Sequence, residues 1–353
     1  MSNQSIKAID AIQEAQKIAF APFVFQAVVA LRKLGVFQVI FDHRRKGGIT
    51  LEALSEKLGI STYGIGVLLE IAESSSIVNR NETDHYEITT TGYFLAFNET
   101  VNVNINFTNE VCYKGLFHLD EAIKTGKPEG LKELGDWKTI YEGLSQLSPL
   151  QQKSWFDFDH HYSDDIFSEA IHVLFQKERK HIFDIGANTG KFTMKCCQNN
   201  ASVNITMIDL PGQLNKALKN VKDAGFENRV KGHEIDWLSD NPQIPTGADT
   251  IWMSQFLDCF SKEEIYKVLK TCVDSMDEDA ELIIVETFTD RQKFDNAKFV
   301  LEATSIYFTA LANGNSKMYK ATEFMDIASA AGLDLQEDLA IGEYHTMFTF
   351  NKK

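Results

Sequence analysis

The second half of the chain constrains the fold most. After about residue 166, short apolar runs rich in β-branched residues alternate with helical stretches, and HIFDIG, SVNITMIDL, ADTIWMS and ELIIVET mark that rhythm. Strands apolar on both faces are covered on both sides, and parallel neighbours need a crossover, usually a helix. The expectation is an α/β domain over 166–353 with a buried parallel sheet wrapped by helices. The closing run EYHTMFTFNKK is expected as an antiparallel edge strand.

The first half has another rhythm. FVFQAVVALRKLGVFQVIF carries apolar residues at helical spacing, ITLEALSEKLGIS starts on Thr50 as an N-cap and stops at Gly59, and STYGIGVLLEIAESSSIV reads as a further helix. IVNRNETDHYEITTTG reads as two short strands about an Asn/Asp turn. Helix, turn, helix and hairpin outline a winged helix over 1–100, followed by connecting helices over 101–165. Its candidate recognition stretch, 61–78, contains no Lys or Arg and includes Glu70 and Glu73, and the chain carries a net charge of −15. DNA recognition needs basic or amide side chains on that helix, so a packing or dimerisation role is expected, with no nucleic-acid partner.

The apolar run FAPFVFQAVVAL has 12 residues, too few to span a bilayer, and its flanks do not match a secretory signal. The five cysteines form no C-x-x-C pair and no finger-like spacing with histidines. A cytoplasmic protein with reduced thiols and no membrane partner is expected.

HIFDIGANTGKF, residues 181–192, resembles two nucleotide loops and completes neither. A P-loop needs a wider glycine spacing and a hydroxyl where Phe192 stands, and a dinucleotide turn needs glycine where Asn188 stands. Backbone N–H groups at the start of the following helix suit an anion, whereas Asp184 suits an ammonium. A ligand with both a carboxylate and an amine fits that mixture. Asp209, ending the next strand about 20 residues on, is placed to accept ribose hydroxyls. Asp236 and Trp237 offer an aromatic face and an acceptor for a purine amine.

FDIGANTG, IDLPG, IDW and WMSQFLDCFSKEE, in this order behind a winged-helix-like front, resemble the S-adenosylmethionine-dependent O-methyltransferases of the plant caffeate and bacterial polyketide type. The resemblance implies a class I methyltransferase domain with a Rossmann-like seven-stranded sheet, and homodimerisation through the N-terminal domain. It implies S-adenosylmethionine as cofactor and S-adenosylhomocysteine as product. The methionine end is expected at Asp184, Gly186 and Gly190, with Ser254 and Gln255 nearby. Ribose is expected at Asp209 and Leu210, and adenine at Asp236 and Trp237. The substrate class implied is a small aromatic or polyketide-like metabolite, methylated on oxygen without a metal.

The catalytic positions depart from that family. Its base is a histidine followed by an aspartate, and Asp258 and Cys259 stand there. Glu286 matches the first supporting acid, and Met318 replaces the second. Asp258 is therefore the candidate base, with His160 or His161 as substitutes. Tyr162, Phe308 and Thr309 are expected to line the substrate cavity. The altered positions leave open N- or C-methylation, or cofactor binding without methyl transfer; a winged-helix regulator is the more distant alternative.

Overall fold

The computed structural model describes residues 7–353, and the chain divides into two compact units, 1–109 and 110–353. In the first unit six helices, α1 (Ala8–Lys33), α2 (Val36–Asp42), α3 (Leu51–Leu58), α4 (Thr62–Ser74), α5 (Thr90–Phe97) and α6 (Glu99–Phe107), accompany a hairpin of β1 (Val78–Arg80) and β2 (Tyr86–Ile88). The expected caps are present: Thr50 accepts from the Ala53 amide and Ser61 from the Gly64 amide. Ile65, Leu69 and Ala72 recur along one face of α4 and pack with Leu31, Ile40 and Leu54 into the unit's core.

Helix α1 corrects the reading of FAPFVFQAVVAL. The run lies inside a 26-residue helix that is, by length and composition, long and apolar enough to cross a membrane. Only Ala27, Val28, Val29 and Leu31 are buried within it, while Ile12, Ile18, Phe20 and Phe23 stand exposed. Charged residues near its start (Asp10, Glu14 and Lys17) are compatible with helix and interrupt only the apolar run, which is why run length understates the element.

The second unit opens with α7 (Leu119–Thr125), α8 (Ile140–Gly143), α9 (Pro149–Ser163) and α10 (Phe167–Leu174). Of the segment expected as connecting helices, residues 110–165 belong to this unit. Gly115 and Gly130 approach Leu311 and Ala310 too closely for a Cβ, and the Trp155 indole donates to the Tyr307 hydroxyl at 2.9 Å.

The seven remaining strands form one sheet: β3 (His181–Ile185), β4 (Asn204–Asp209), β5 (Val230–Glu234), β6 (Thr250–Ser254), β7 (Glu281–Glu286), β8 (Leu333–Ile341) and β9 (His345–Lys352). Their order is β5-β4-β3-β6-β7-β9-β8, parallel from β5 to β7 and antiparallel thereafter. The antiparallel edge expected from EYHTMFTFNKK lies one strand further in. β9 is buried along Thr346–Phe350 and β8 covers it as the edge. β8 escapes the sequence reading because LDLQEDLAI is exposed along most of its length.

Alternation sorts the sheet's two faces. Phe183, Ile185, Ile251 and Met253 face α13 (Lys262–Ser275) and α15 (Ala321–Ala331). Ile182, Met207, Trp252 and Ile283 face α10, α11 (Lys191–Asn199) and α12 (Pro211–Asp223). The remaining helix is α14 (Asp295–Tyr307). The carboxyl ends of β3, β4 and β6 lie where strand order reverses about β3, the crevice in which open α/β sheets hold ligands.

Candidate functional site

Two neighbouring cavities open at that crevice. The larger, about 410 Å³, is bordered by Gly186, Asn188, Asp209, Leu210, Asp236, Trp237, Gln255 and Phe256, among others. A small one of about 60 Å³ lies beside it, between Asp184, Ser254 and Gln255 on the sheet and Asp159 and His160 on α9. The first volume is within the usual range for a small-molecule site.

The loop after β3 is shaped by its glycines. Gly186 has φ +71°, and a Cβ there would lie 2.5 Å from the Phe256 ring, so the close approach of backbone and ring excludes any larger residue. Its amide continues the sheet pairing to Ile208. Asn188 also sits in the left-handed region, φ +51°, a conformation asparagine tolerates better than most residues. Its amide donates to Asp209 Oδ2 at 2.7 Å, its side chain donates to Asp159 at 2.8 Å, and the Leu210 amide donates to Asp209 Oδ1 at 2.7 Å. Asp209 thus binds the first loop to the second strand end while bordering the larger cavity. Burial nevertheless raises its carboxyl to about 6.

Gly190 has a different task. At φ +79° it starts α11 and would meet Ala217 and Met207 at ordinary contact distance, but it does not border any of the cavities described. Asp184 also departs from expectation. Alternation turns it beneath α11, where it accepts from the Thr193 hydroxyl at 2.5 Å; burial raises it to about 7, and it reaches only the small cavity. Asp236 accepts from the Leu238 amide at 2.9 Å, and the buried Trp237 indole N–H has no partner. Such an orphaned donor is costly unless a ligand or water satisfies it.

Gln255, at φ +47°, turns the chain after β6 and borders both cavities. Its side-chain amide lies 2.8 Å from His345 Nε2, and burial depresses His345 to about 4. The imidazole is therefore neutral, and its contact holds the glutamine side chain against the start of β9. The Ser254 hydroxyl beside it is buried without a partner.

Beyond Gln255 lies the candidate chemistry. Glu286 ends β7, 2% exposed; its Oε1 accepts from the amides of Phe256 and Leu257 at 3.0 and 2.9 Å, while Oε2 has no partner. Burial first and then Asp258 hold Glu286 well above the usual carboxyl range. Asp258 is raised to about 6, by burial and then by Asp159. Glu286 thus braces the turn that carries Asp258, and the two acids disfavour one another's ionisation.

The other expectations divide. His160 borders only the small cavity, between Asp159 and Asp164. His161 and Tyr162 pack edge to face and border none of the cavities described. Phe308 is buried, and the Thr309 hydroxyl donates to the Ser305 carbonyl; neither borders any of the cavities described. A π-helical turn over Phe308–Ala312 moves the chain so that Asn313 and Asn315 reach the cavity wall instead. Trp155, Asp159 and Tyr141 line the wall without having been expected there. Asp159 stands in WFDFDHHYSDDIF, where the adjacent histidines are the more conspicuous candidates and an acid on the same helix is easily passed over.

A family model described as an O-methyltransferase domain matches residues 143–334, and one described as a Dimerisation2-like domain matches residues 13–86. The chain is 23% identical over 322 residues to 3-hydroxy-5-methyl-1-naphthoate 3-O-methyltransferase of Streptomyces sahachiroi, covering 87% of this chain and 85% of that protein. It is 22% identical to aclacinomycin 10-hydroxylase RdmB of Streptomyces purpurascens over 69% of this chain, spanning 62% of that relative's length. Among solved structures, the mitomycin 7-O-methyltransferase MmcR superposes with a TM-score of 0.72 at 16% identity, covering 98% of each chain. NcsB1, an O-methyltransferase from neocarzinostatin biosynthesis solved with S-adenosylmethionine and 2-hydroxy-5-methyl naphthoic acid, gives 0.67 at 17% identity, covering 93% of this chain and 96% of that one.

Proposed function

We propose that this chain, which belongs to the S-adenosylmethionine-dependent O-methyltransferase family, transfers the cofactor's methyl group to a hydroxyl of a small aromatic molecule. The observation that carries the reading is the convergence of Gly186, Asp209, Asp236 and Trp237 on one cavity, with an unpartnered indole N–H at its adenine end. These features fit the cofactor: carboxylates for its hydroxyls and exocyclic amine, a ring for its purine, and a cradle that a Cβ at Gly186 would fill. When bound, the cofactor supplies an electrophilic methyl on a sulfonium.

The chain's own residues supply position and proton acceptance. Asp209 would hold the ribose end, and Asp236 with Trp237 the adenine end. Ser254, Gln255 and Asp184 stand nearest the amino-acid end, and Asp258, which lies behind the wall at Cys259 and borders none of the cavities described, would receive the acceptor's proton. Alignment of nucleophile and methyl donor can be worth effective molarities of about 10⁵–10⁸ M, more than the 10²–10⁴-fold typical of a base. A modest base such as Asp258 is therefore compatible with turnover.

The dimerisation-domain match and the exposed apolar residues of α1 support a homodimer paired through the N-terminal unit. The reading is of an enzyme working on small molecules in the cytoplasm. Thermal stabilisation by S-adenosylmethionine, compared with ATP and NAD, tests cofactor choice. At 100 times its dissociation constant the cofactor adds about 2.7 kcal/mol, and no shift would overturn the reading. Mass detection of the gain of one methyl group on a hydroxyaromatic panel tests the transfer.

A second reading keeps the cofactor and changes the chemistry to N- or C-methylation or to none. It draws on two observations: the base position holds an acid raised to about 6, and one relative is named a hydroxylase. Loss of cofactor heat would oppose both readings, whereas cofactor heat without any methylated oxygen would favour the second.

A further inference from the structure

The larger cavity has an unbalanced charge. Among the described residues, its wall carries five carboxylates, Glu142, Asp159, Asp209, Asp236 and Glu264, and no lysine or arginine. Glu142, Asp159 and Glu264 have no lysine or arginine ion pair among the described residues; Asp159 has His160 at 3.8 Å and accepts from the Asn188 side chain at 2.8 Å. Lys216 borders a third cavity of about 320 Å³, which shares Tyr141, Glu142 and Leu210 with the larger one, and its ammonium lies over the Phe156 ring at 4.3 Å.

Asp209 and Asp236 are committed to the cofactor in the reading above. The cofactor's carboxylate, ammonium and sulfonium sum to one positive charge, which Asp159, beside Asn188, offsets. Glu142 and Glu264 remain, with Asp258 and Glu286 behind the same wall. The buried Tyr141 hydroxyl, beside Cys259, also borders this space with the aromatic faces of Trp155, Phe256 and Phe260. An anionic acceptor entering here would be desolvated among like charges, with no lysine or arginine on this wall and Lys216 turned onto Phe156 in the cavity beside it. An ammonium would meet carboxylates and aromatic faces, both of which attract it.

We infer that the acceptor is an amine-bearing, cationic hydroxyaromatic and that carboxylate-bearing aromatics are excluded. This rests on the methyltransferase reading and narrows its substrate class. Glu142 and Glu264 attract the ammonium.

The test uses the full chain saturated with S-adenosylhomocysteine and three catechols carrying an aminoethyl, a hydroxyethyl or a carboxymethyl arm, titrated calorimetrically at neutral pH. The amine is expected to bind at least about tenfold more tightly than the acid, with the alcohol between them. In the double variant Glu142→Gln, Glu264→Gln the amine-to-acid ratio falls by at least about threefold. Glu264 accepts from the Ser261 amide to cap α13, and the Glu264→Gln side chain keeps a carbonyl oxygen for that bond, so folding is retained. An acid bound as tightly as the amine, no catechol bound at all, or a ratio indifferent to the double variant overturns the inference. Absence of heat with S-adenosylmethionine itself overturns the methyltransferase reading instead.

Discussion

The Asn188 amide donates to Asp209 at 2.7 Å, so the loop after β3 and the tip of β4 are one unit. Asp209 accepts a second backbone bond, from Leu210, and borders the larger cavity with what remains of its lone pairs. Asp209→Ala removes both backbone tethers and the proposed ribose acceptor. Hydrogen bonds to a charged group are worth about 1.5–3 kcal/mol each. The affinity for S-adenosylmethionine should fall at least about tenfold by calorimetry, and an unchanged dissociation constant would remove Asp209 from the site.

Gly186 gives a second test. Its positive φ, and the 2.5 Å that would separate an added Cβ from Phe256, make Gly186→Ala a steric and conformational fault together. Overpacking costs about 1–3 kcal/mol, and the strain adds about 1 kcal/mol. A lower melting temperature and weakened cofactor binding are expected. Gly66→Ala, within α4 where the added Cβ meets only Leu51 at 3.7 Å, should be neutral or stabilising.

How far these relationships are legible in sequence depends on range. Strand tips are local events, so the apolar runs of HIFDIG and MIDL announce the proposed cofactor residues there, whereas Asp236 follows the polar strand VKGHE and is marked only by its aromatic neighbour Trp237. The π-helical turn at Phe308–Ala312 is not legible, because a one-residue register change leaves no mark in apolar spacing; it brings Asn313 and Asn315 to the wall in place of Phe308 and Thr309. Asp184 is legible as a residue beside the loop; that the two-residue period of β3 turns its carboxylate under α11 to Thr193, leaving it only the small cavity, is not. β8 is hidden for the opposite reason: as an edge strand it carries polar residues.

Asp184 makes stability depend on pH. Its carboxyl is near 7 in the folded chain against 3.8 when unfolded, chiefly through burial. Its contribution is therefore fully present below pH 3.8 and lost as pH rises through 7. The whole difference is on the order of 4 kcal/mol. His345, depressed to about 4, acts oppositely: its contribution is present above 6.5 and lost as pH falls through 4. The informative quantity is thus the difference between wild type and Asp184→Asn. Denaturant titrations should show the variant gaining on the wild type as pH rises from about 4 to about 7.5, and parallel pH profiles would refute the assignment.

The exposed face of α1 yields a prediction about assembly. Ile18 is 75% exposed and Phe23 67%, within the segment matched by the dimerisation model. Large apolar side chains grouped in this way mark an interaction surface. Sedimentation at micromolar concentration should give a dimer for the wild type and a monomer for the Ile18→Glu, Phe23→Glu variant. A monomeric wild type would remove the proposed homodimer.

Asp258 carries the test of chemistry, and its sign separates the two readings. Burial and Asp159 raise it to about 6, so it is mostly ionised at neutral pH and above. As a general base it gives a turnover that rises with pH and levels off above about 6. Asp258→Asn would then abolish that limb and lower kcat at least about tenfold, since base catalysis is typically worth 10²–10⁴-fold. The cofactor's dissociation constant should not change, because Asp258 is assigned to the acceptor's proton. If the protonated acid does the work, turnover instead falls as pH rises through about 6. A limb of that direction, or one that survives in Asp258→Asn, would exclude Asp258 as base and leave cofactor binding with different chemistry as the remaining account.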